Sequence, residues 1–164
     1  MIRIKLPLIP FILFFFSLPS YGQTCMTFQD MGKNGLYLEQ LDTLYPNATG
    51  TGKTDGVFSG RKEKSFTKAW GAFYTDLMQY FADNGFVWKQ PTSCFNKIYF
   101  SADGSIAYWF FNFSAKDSIP DHVQAKYLEL ITQYSKNHRI KIKGKSNFSQ
   151  CASVTFYDFE KKKD

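Results

Sequence analysis

Two apolar, aromatic-rich runs, Phe95–Ser101 and Ser105–Phe113, flank Ala102-Asp103-Gly104. Asp-Gly between such runs is a β-hairpin signal, because the turn needs residues that tolerate positive φ. Side chains alternate between the two faces of a strand. In the first arm Ile98 and Phe100 face one way, and Lys97, Tyr99 and Ser101 the other. In the second arm Ile106, Tyr108, Phe110 and Asn112 oppose Ala107, Trp109, Phe111 and Phe113. This arm is apolar on both faces. It is expected to be central in its sheet, to lie under a second layer, or to meet a partner.

The rest of the chain supplies elements able to cover such a hairpin. Over Ser65–Asn84, Phe66, Ala69, Trp70, Phe73, Leu77, Tyr80 and Phe81 recur at spacings of three and four, the stripe of an amphipathic helix. Ser65 is its expected N-cap, and Asn84-Gly85 its stop. A second helix is predicted from Asp121, the expected N-cap after Pro120, to about Lys136, burying Val123, Tyr127, Leu128, Ile131 and Tyr134. Tyr37–Tyr45 reads as a short helix ended by Pro46, Thr24–Leu36 lacks periodicity, and the Gly- and Thr-rich Asn47–Gly60 reads as a loop. Further strands are expected at Phe86–Lys89, at Arg139–Lys143 with one wet face, and at Cys151–Phe159 with Ala152, Val154 and Phe156 on one side. The predicted fold class is α+β, an antiparallel sheet of about three to five strands with two main helices packed on one face. The expected divisions are a leader at 1–22, an N-terminal segment at 23–64, the α+β domain at 65–159 and a basic tail at 160–164.

Arg3 and Lys5 precede the apolar run Leu6–Leu18, and Ser20-Tyr21-Gly22 offers a small-x-small cleavage site. This is the pattern of a secretory signal peptide. The run is shorter than the roughly 20 residues a bilayer span requires, so no stable membrane anchor is expected after cleavage. The chain is therefore expected to be exported, periplasmic or extracellular, where thiols can oxidise and ATP is scarce. Nucleic acid drops out as a partner. The chain remains basic after Arg3 and Lys5 leave, since it starts with 20 Lys and Arg against 14 Asp and Glu. The excess gathers over Lys136, Arg139, Lys141, Lys143 and Lys145 and at Lys161–Lys163. It reads as a strand edge protected from aggregation and a frayed tail. An acidic envelope polymer or lipid headgroup is the alternative. The aromatic share of 19% is taken mainly as core.

Chemistry-bearing motifs are sparse. Cys25 follows the expected cleavage site closely, but Thr24 before it and Gly22 three before it do not make a lipobox. Cys94 and Cys151 lie near the starts of two predicted strands and form a candidate disulfide, worth on the order of 4 kcal/mol in the chain-entropy account. Two isolated thiols are the equal alternative. No cysteine or histidine spacing indicates a metal, and no cofactor is expected. Gly50-Thr51-Gly52-Lys53-Thr54 resembles a phosphate loop, but Asn47 stands where that pattern needs glycine. His122 and His138 sit at opposite ends of one predicted helix, about 24 Å apart, too far to share a metal. Asp76, Asp83, Asp103, Asp117 and Asp121 fall at caps and turns. No catalytic residues are assigned. Asn47-Ala48-Thr49, Asn112-Phe113-Ser114 and Asn147-Phe148-Ser149 match the N-glycosylation triplet. Asp42-Thr43-Leu44 and Asp117-Ser118-Ile119 resemble the O-glycosylation acceptor of Bacteroidetes-type bacteria.

From Asn96 onward the predicted order is strand, Asp-Gly turn, strand, helix, basic segment and closing strand. Lys97-Ile98-Tyr99-Phe100-Ser101-Ala102-Asp103-Gly104-Ser105-Ile106, the helix Asp121–Lys136 and the stretch Ile140–Phe156 together resemble the TonB C-terminal domain. That family carries a Ser-Gly pair after its second strand, where this chain has Ser114-Ala115, and this chain adds the helix from Ser65. The resemblance implies a periplasmic module that recruits an extended partner peptide onto a sheet edge. The expected function is an exported, non-enzymatic binding or envelope-assembly protein whose partner is another envelope protein or peptide. Its expected partner surface is Arg139, Lys141 and Lys143, joined by Trp109 and Phe111 if that face of the sheet is uncovered. The alternative is a small secreted hydrolase or ligand carrier with a pocket between helix and sheet lined by Trp70, Tyr74, Tyr108 and Tyr134.

Overall fold

Strands β2 (Thr92–Phe100) and β3 (Ile106–Phe113) form the predicted hairpin in a computed structural model that describes residues 23–50 and 55–158. The expected leader, residues 51–54 of the phosphate-loop-like run and the basic tail lie outside the described residues. Gly104 takes φ 88°, and a Cβ there would collide with the carbonyl oxygens of Ile140 and Ile142, so only glycine fits this turn. The register shifts between Tyr99 and Phe100, which pair with Tyr108 and Ile106 and leave Ala107 as the extra residue. This bulge moves Ile106 onto the face of Trp109, Phe111 and Phe113, where simple alternation had placed Ala107.

The sheet is mixed, in the order β1-β3-β2-β4. Strand β1 (Thr24–Thr27) runs parallel to β3, and β4 (Phe148–Phe156) runs antiparallel to β2. The fold is α+β, with two of the three strand pairings antiparallel. β3 is central, as its two apolar faces demand. β1 escapes sequence reading because Thr-Cys-Met-Thr is too short to show a period.

Helices α3 (Arg61–Asp83) and α4 (Asp121–Asn137) cover one face. Phe66, Phe73, Tyr74, Leu77 and Phe81 of α3 meet Tyr127, Leu130, Ile131 and Tyr134 of α4 over Cys94, Ile98, Phe100, Trp109 and Phe111. α3 begins at Arg61, and the Ser65 hydroxyl, expected as its cap, donates back to the Arg61 carbonyl at 3.3 Å. Pro120 is the N-cap position of α4, one residue before the expected Asp121. Two short helices, α1 (Phe28–Met31) and α2 (Leu38–Leu44), cover part of the other face. There Met31 and Leu41 bury Tyr99 and Phe110. Asp42 of α2 ties this layer down, accepting from Lys97 Nζ and from the Tyr99 hydroxyl, each at 2.8 Å.

Two predicted strands are absent as strands. Phe86–Lys89 is irregular. Arg139–Lys143 wraps the hairpin turn, with Ile140 N–H on the Gly104 carbonyl at 3.0 Å and Gly144 N–H on that of Ala102 at 2.9 Å. Alternating basic and isoleucine residues satisfy this wrap as well as they satisfy a strand: Ile140 is buried and the cations point to water.

Candidate functional site

The expected partner surface is corrected at two of its five residues. Trp109 and Phe111 are 0% and 1% exposed, because α3 and α4 lie on their face of the sheet. They cannot meet a partner. Arg139, Lys141 and Lys143 are exposed, but not on a strand edge. Arg139 pairs with Asp103 at 2.8 Å and Lys141 with Asp76 at 3.1 Å. The four aromatic residues of the alternative pocket do not converge either. Tyr108 lies on the α1/α2 face, whereas Trp70, Tyr74 and Tyr134 pack on the α3/α4 face.

The candidate disulfide is not formed. All three cysteines are free. Cys94 pairs in register with Val154 and Cys151 with Lys97, so the two thiols are three positions apart along adjacent strands and point to opposite faces. Burial pushes the Cys94 thiol up to about 12, and burial raises Cys25 too, beside Ser135 Oγ at 3.4 Å. Such thiols stay protonated and unreactive near neutral pH. Brief alkylation of the native protein at pH 8 is therefore expected to modify only the exposed Cys151, and alkylation in denaturant all three. Modification of Cys94 at the rate of Cys151, read by peptide mass spectrometry, would contradict the placement.

Beyond Ser149 the β4 edge of the sheet is open, and so is part of one face. At Ser149 the outer side of β4 is occupied: its N–H donates to Pro46 at 2.8 Å and its carbonyl accepts from Ala48 at 2.7 Å, in a parallel bridge centred on Asn47. Backbone groups alternate sides along a strand as side chains alternate faces. If Ser149 points outward, so do Cys151, Ser153 and Thr155. Ala152 and Val154 turn inward, opposite Asn96 and Cys94 of β2. The Cys151 carbonyl accepts from Gln150 Nε2 at 3.3 Å. The outward groups of Ser153 and Thr155 meet no partner among the described residues.

The side chains of these residues stand on the α1/α2 face, in the part that those helices leave open. Cys151, Ser153 and Thr155 are exposed there beside Asn112 and Phe95, which is 40% exposed. The Ser93 and Thr155 hydroxyls meet across the strands at 3.2 Å, and Phe28 packs on Phe95 with ring centroids 5.6 Å apart. This half-face can hydrogen-bond and offers one aromatic contact. Sequence alternation over 151–156 shows that β4 has a wet side. It does not show that β4 ends the sheet, since strand order depends on where the chain returns after α4. His138 is accounted for structurally, stacked on Tyr134 at 3.9 Å. Among the described residues no three His, Cys, Asp or Glu side chains gather to hold a metal.

No family model matches this chain, and neither a curated protein nor a solved structure does.

Proposed function

We propose that this is an exported binding protein that captures an extended segment of an envelope partner by adding it as a strand to β4. The observation that carries this reading is the outward backbone of Ser153 and Thr155, which meets no partner among the described residues. Strand addition draws affinity from such main-chain groups and specificity from the side chains beside them. Pro46–Ala48 already occupies the same row at Ser149, so an incoming strand extends a pairing that the fold begins itself. Phe95, Asn112 and the hydroxyls of Ser153 and Thr155 fit a segment that alternates apolar and polar residues. Export follows from the leader pattern of Met1–Gly22, and among the described residues no helix is long and apolar enough to cross a membrane.

The test places a photo-crosslinking side chain at Thr155 of the full chain in its producing cell. Crosslinks are expected to map to one extended segment of one partner. They are expected to vanish in Ser153→Pro and persist in Ser153→Ala, because proline removes an N–H that points away from the β2 ladder and is tolerated at such positions. Crosslinks unchanged by a correctly folded Ser153→Pro would overturn strand addition. So would crosslinks only to a second copy of this chain.

A further inference from the structure

A second site, independent of the β4 edge, lies where the end of α3 approaches the start of α4. There the loop 84–90 and the stretch 118–126 enclose a groove of about 490 Å³. Small-ligand sites run from about 300 to 1,000 Å³ and are mostly apolar with a few placed polar groups. Phe86, Val87, Trp88, Ile119 and Val123 supply the apolar surface. Trp88 is the fixed floor, stacked on Phe156 at 5.0 Å and meeting Phe86 edge-on at 4.7 Å. Val87, by contrast, is 56% exposed, an aliphatic side chain held toward water with nothing over it among the described residues.

The walls are held in place by specific bonds. Asp158 accepts from the backbone N–H of Trp88 at 2.6 Å and of Lys89 at 3.2 Å. Asp117 accepts from Ser93 N–H at 2.6 Å, and Gln90 Nε2 reaches the Asp117 carbonyl at 3.4 Å, joining the two walls. Among the described residues only Lys89 (φ 65°) and Ser118 (φ 45°) adopt positive φ without being glycine, and both line this groove. Non-glycine residues in that region cost of order 1–3 kcal/mol each and cluster at ligand sites.

The charged side chains on the lining of the groove have one sign. Lys89 and Lys126 stand on the lining and no carboxylate does. The nearby Asp117 and Asp158 are committed to backbone N–H groups, and Lys126 shares its charge with Glu129 at 2.9 Å. Lys89 has no ion-pair partner among the described residues. No side chain caps the N-terminus of α4, whose positive end at Pro120 and His122 is offset by Asp121 in its first turn, so the two lysines carry the charge argument. With the backbone of Trp88 and Lys89 already bonded and no strand in either wall, the groove has little to offer a peptide main chain.

We propose that this groove binds a fatty acid, its acyl chain over Phe86, Val87, Trp88, Ile119 and Val123 and its carboxylate between Lys89 and Lys126. The test titrates dodecanoate, below its micellar concentration, into the full chain as secreted, with the indole N–H resonance of Trp88 and calorimetry as readouts. One dodecanoate is expected to bind per chain, saturably, and to shift Trp88 while leaving Trp109 in place. Dodecyltrimethylammonium, which keeps the chain and reverses the head charge, is expected to bind about tenfold more weakly or worse. Val87→Glu, on an exposed side chain, and the double variant Lys89→Glu/Lys126→Glu are each expected to weaken dodecanoate about tenfold or more. The double variant carries the test if Val87→Glu does not fold. Equal affinity for the two head groups overturns the proposal, as does dodecanoate binding that both variants leave intact. A concentration-dependent dimer that Val87→Glu dissociates would also overturn it, by making a second copy the occupant.

Discussion

Replacing Asn96 with alanine is expected to destabilise the protein by about 2–6 kcal/mol, at about 1–3 kcal/mol for each buried donor left without its acceptor. Asn96 is 0% exposed in the middle of β2. Its Oδ1 accepts from Trp109 Nε1 at 2.8 Å and from the Tyr127 hydroxyl at 3.0 Å, and its Nδ2 donates to the Cys94 carbonyl at 3.2 Å. One side chain thus joins β2, β3 and α4. Truncating it leaves the indole N–H and the phenol of two fully buried residues without this acceptor. Against a typical net stability of about 5–15 kcal/mol, this is a large fraction. Urea unfolding of the variant measures it. The double variant Asn96→Ala/Trp109→Phe is expected to cost less than the two changes summed, because removing the indole N–H removes one of the orphaned groups. A single-variant loss below about 1 kcal/mol would show that the network is not held as described.

Phe73→Ala is the second large effect, expected at about 3–5 kcal/mol for a buried aromatic reduced to a methyl. Phe73 is the hub of the α3/α4 face. Its ring centroid lies 5.7 Å from those of Trp70, Trp109 and Tyr134, 5.6 Å from Tyr74 and 5.8 Å from Phe100. Edge-to-face and offset arrangements at such distances add to area burial, and the surrounding rings are too rigid to collapse into the space left. Lys68→Ala, on the exposed side of the same helix, is the control and is expected to change stability by less than about 0.5 kcal/mol. Equal effects of the two substitutions in thermal or urea unfolding would refute this assignment of the buried face.

Much of this core is written into local sequence. The three-and-four spacing over 66–81 names the buried side of α3, and Asp103-Gly104 names the turn. The second arm's apolar faces require cover on both sides, and the structure supplies it with α3 and α4 on one and α1 and α2 on the other. What stayed hidden depends on contacts distant in sequence. Arg139–Lys143 has strand-like alternation, but the Gly104 carbonyl takes the Ile140 N–H and the Ala102 carbonyl that of Gly144, which ties the segment to the hairpin turn. Asn96 reads as an ordinary polar residue in an apolar arm until Trp109 and Tyr127 are brought to it. Trp109 and Phe111, expected at the partner surface only if their face is uncovered, drop out for the same reason, since aromatic character alone does not say which face the long helix chooses. The open edge was the least legible feature of all. Nothing in Cys151-Ala152-Ser153-Val154-Thr155 distinguishes a terminal strand from a central one with a wet face. The order β1-β3-β2-β4, set by where the chain returns after α4, decides it.

Amide hydrogen exchange along β4 in the free protein tests the capture edge most directly. Ala152 and Val154, bonded into β2, should be strongly protected, while Ser153 and Thr155 between them should exchange nearly as fast as an unstructured chain. Uniform slow exchange from Cys151 to Thr155 would mean that this row is already occupied, and the proposed strand-capture edge would not exist.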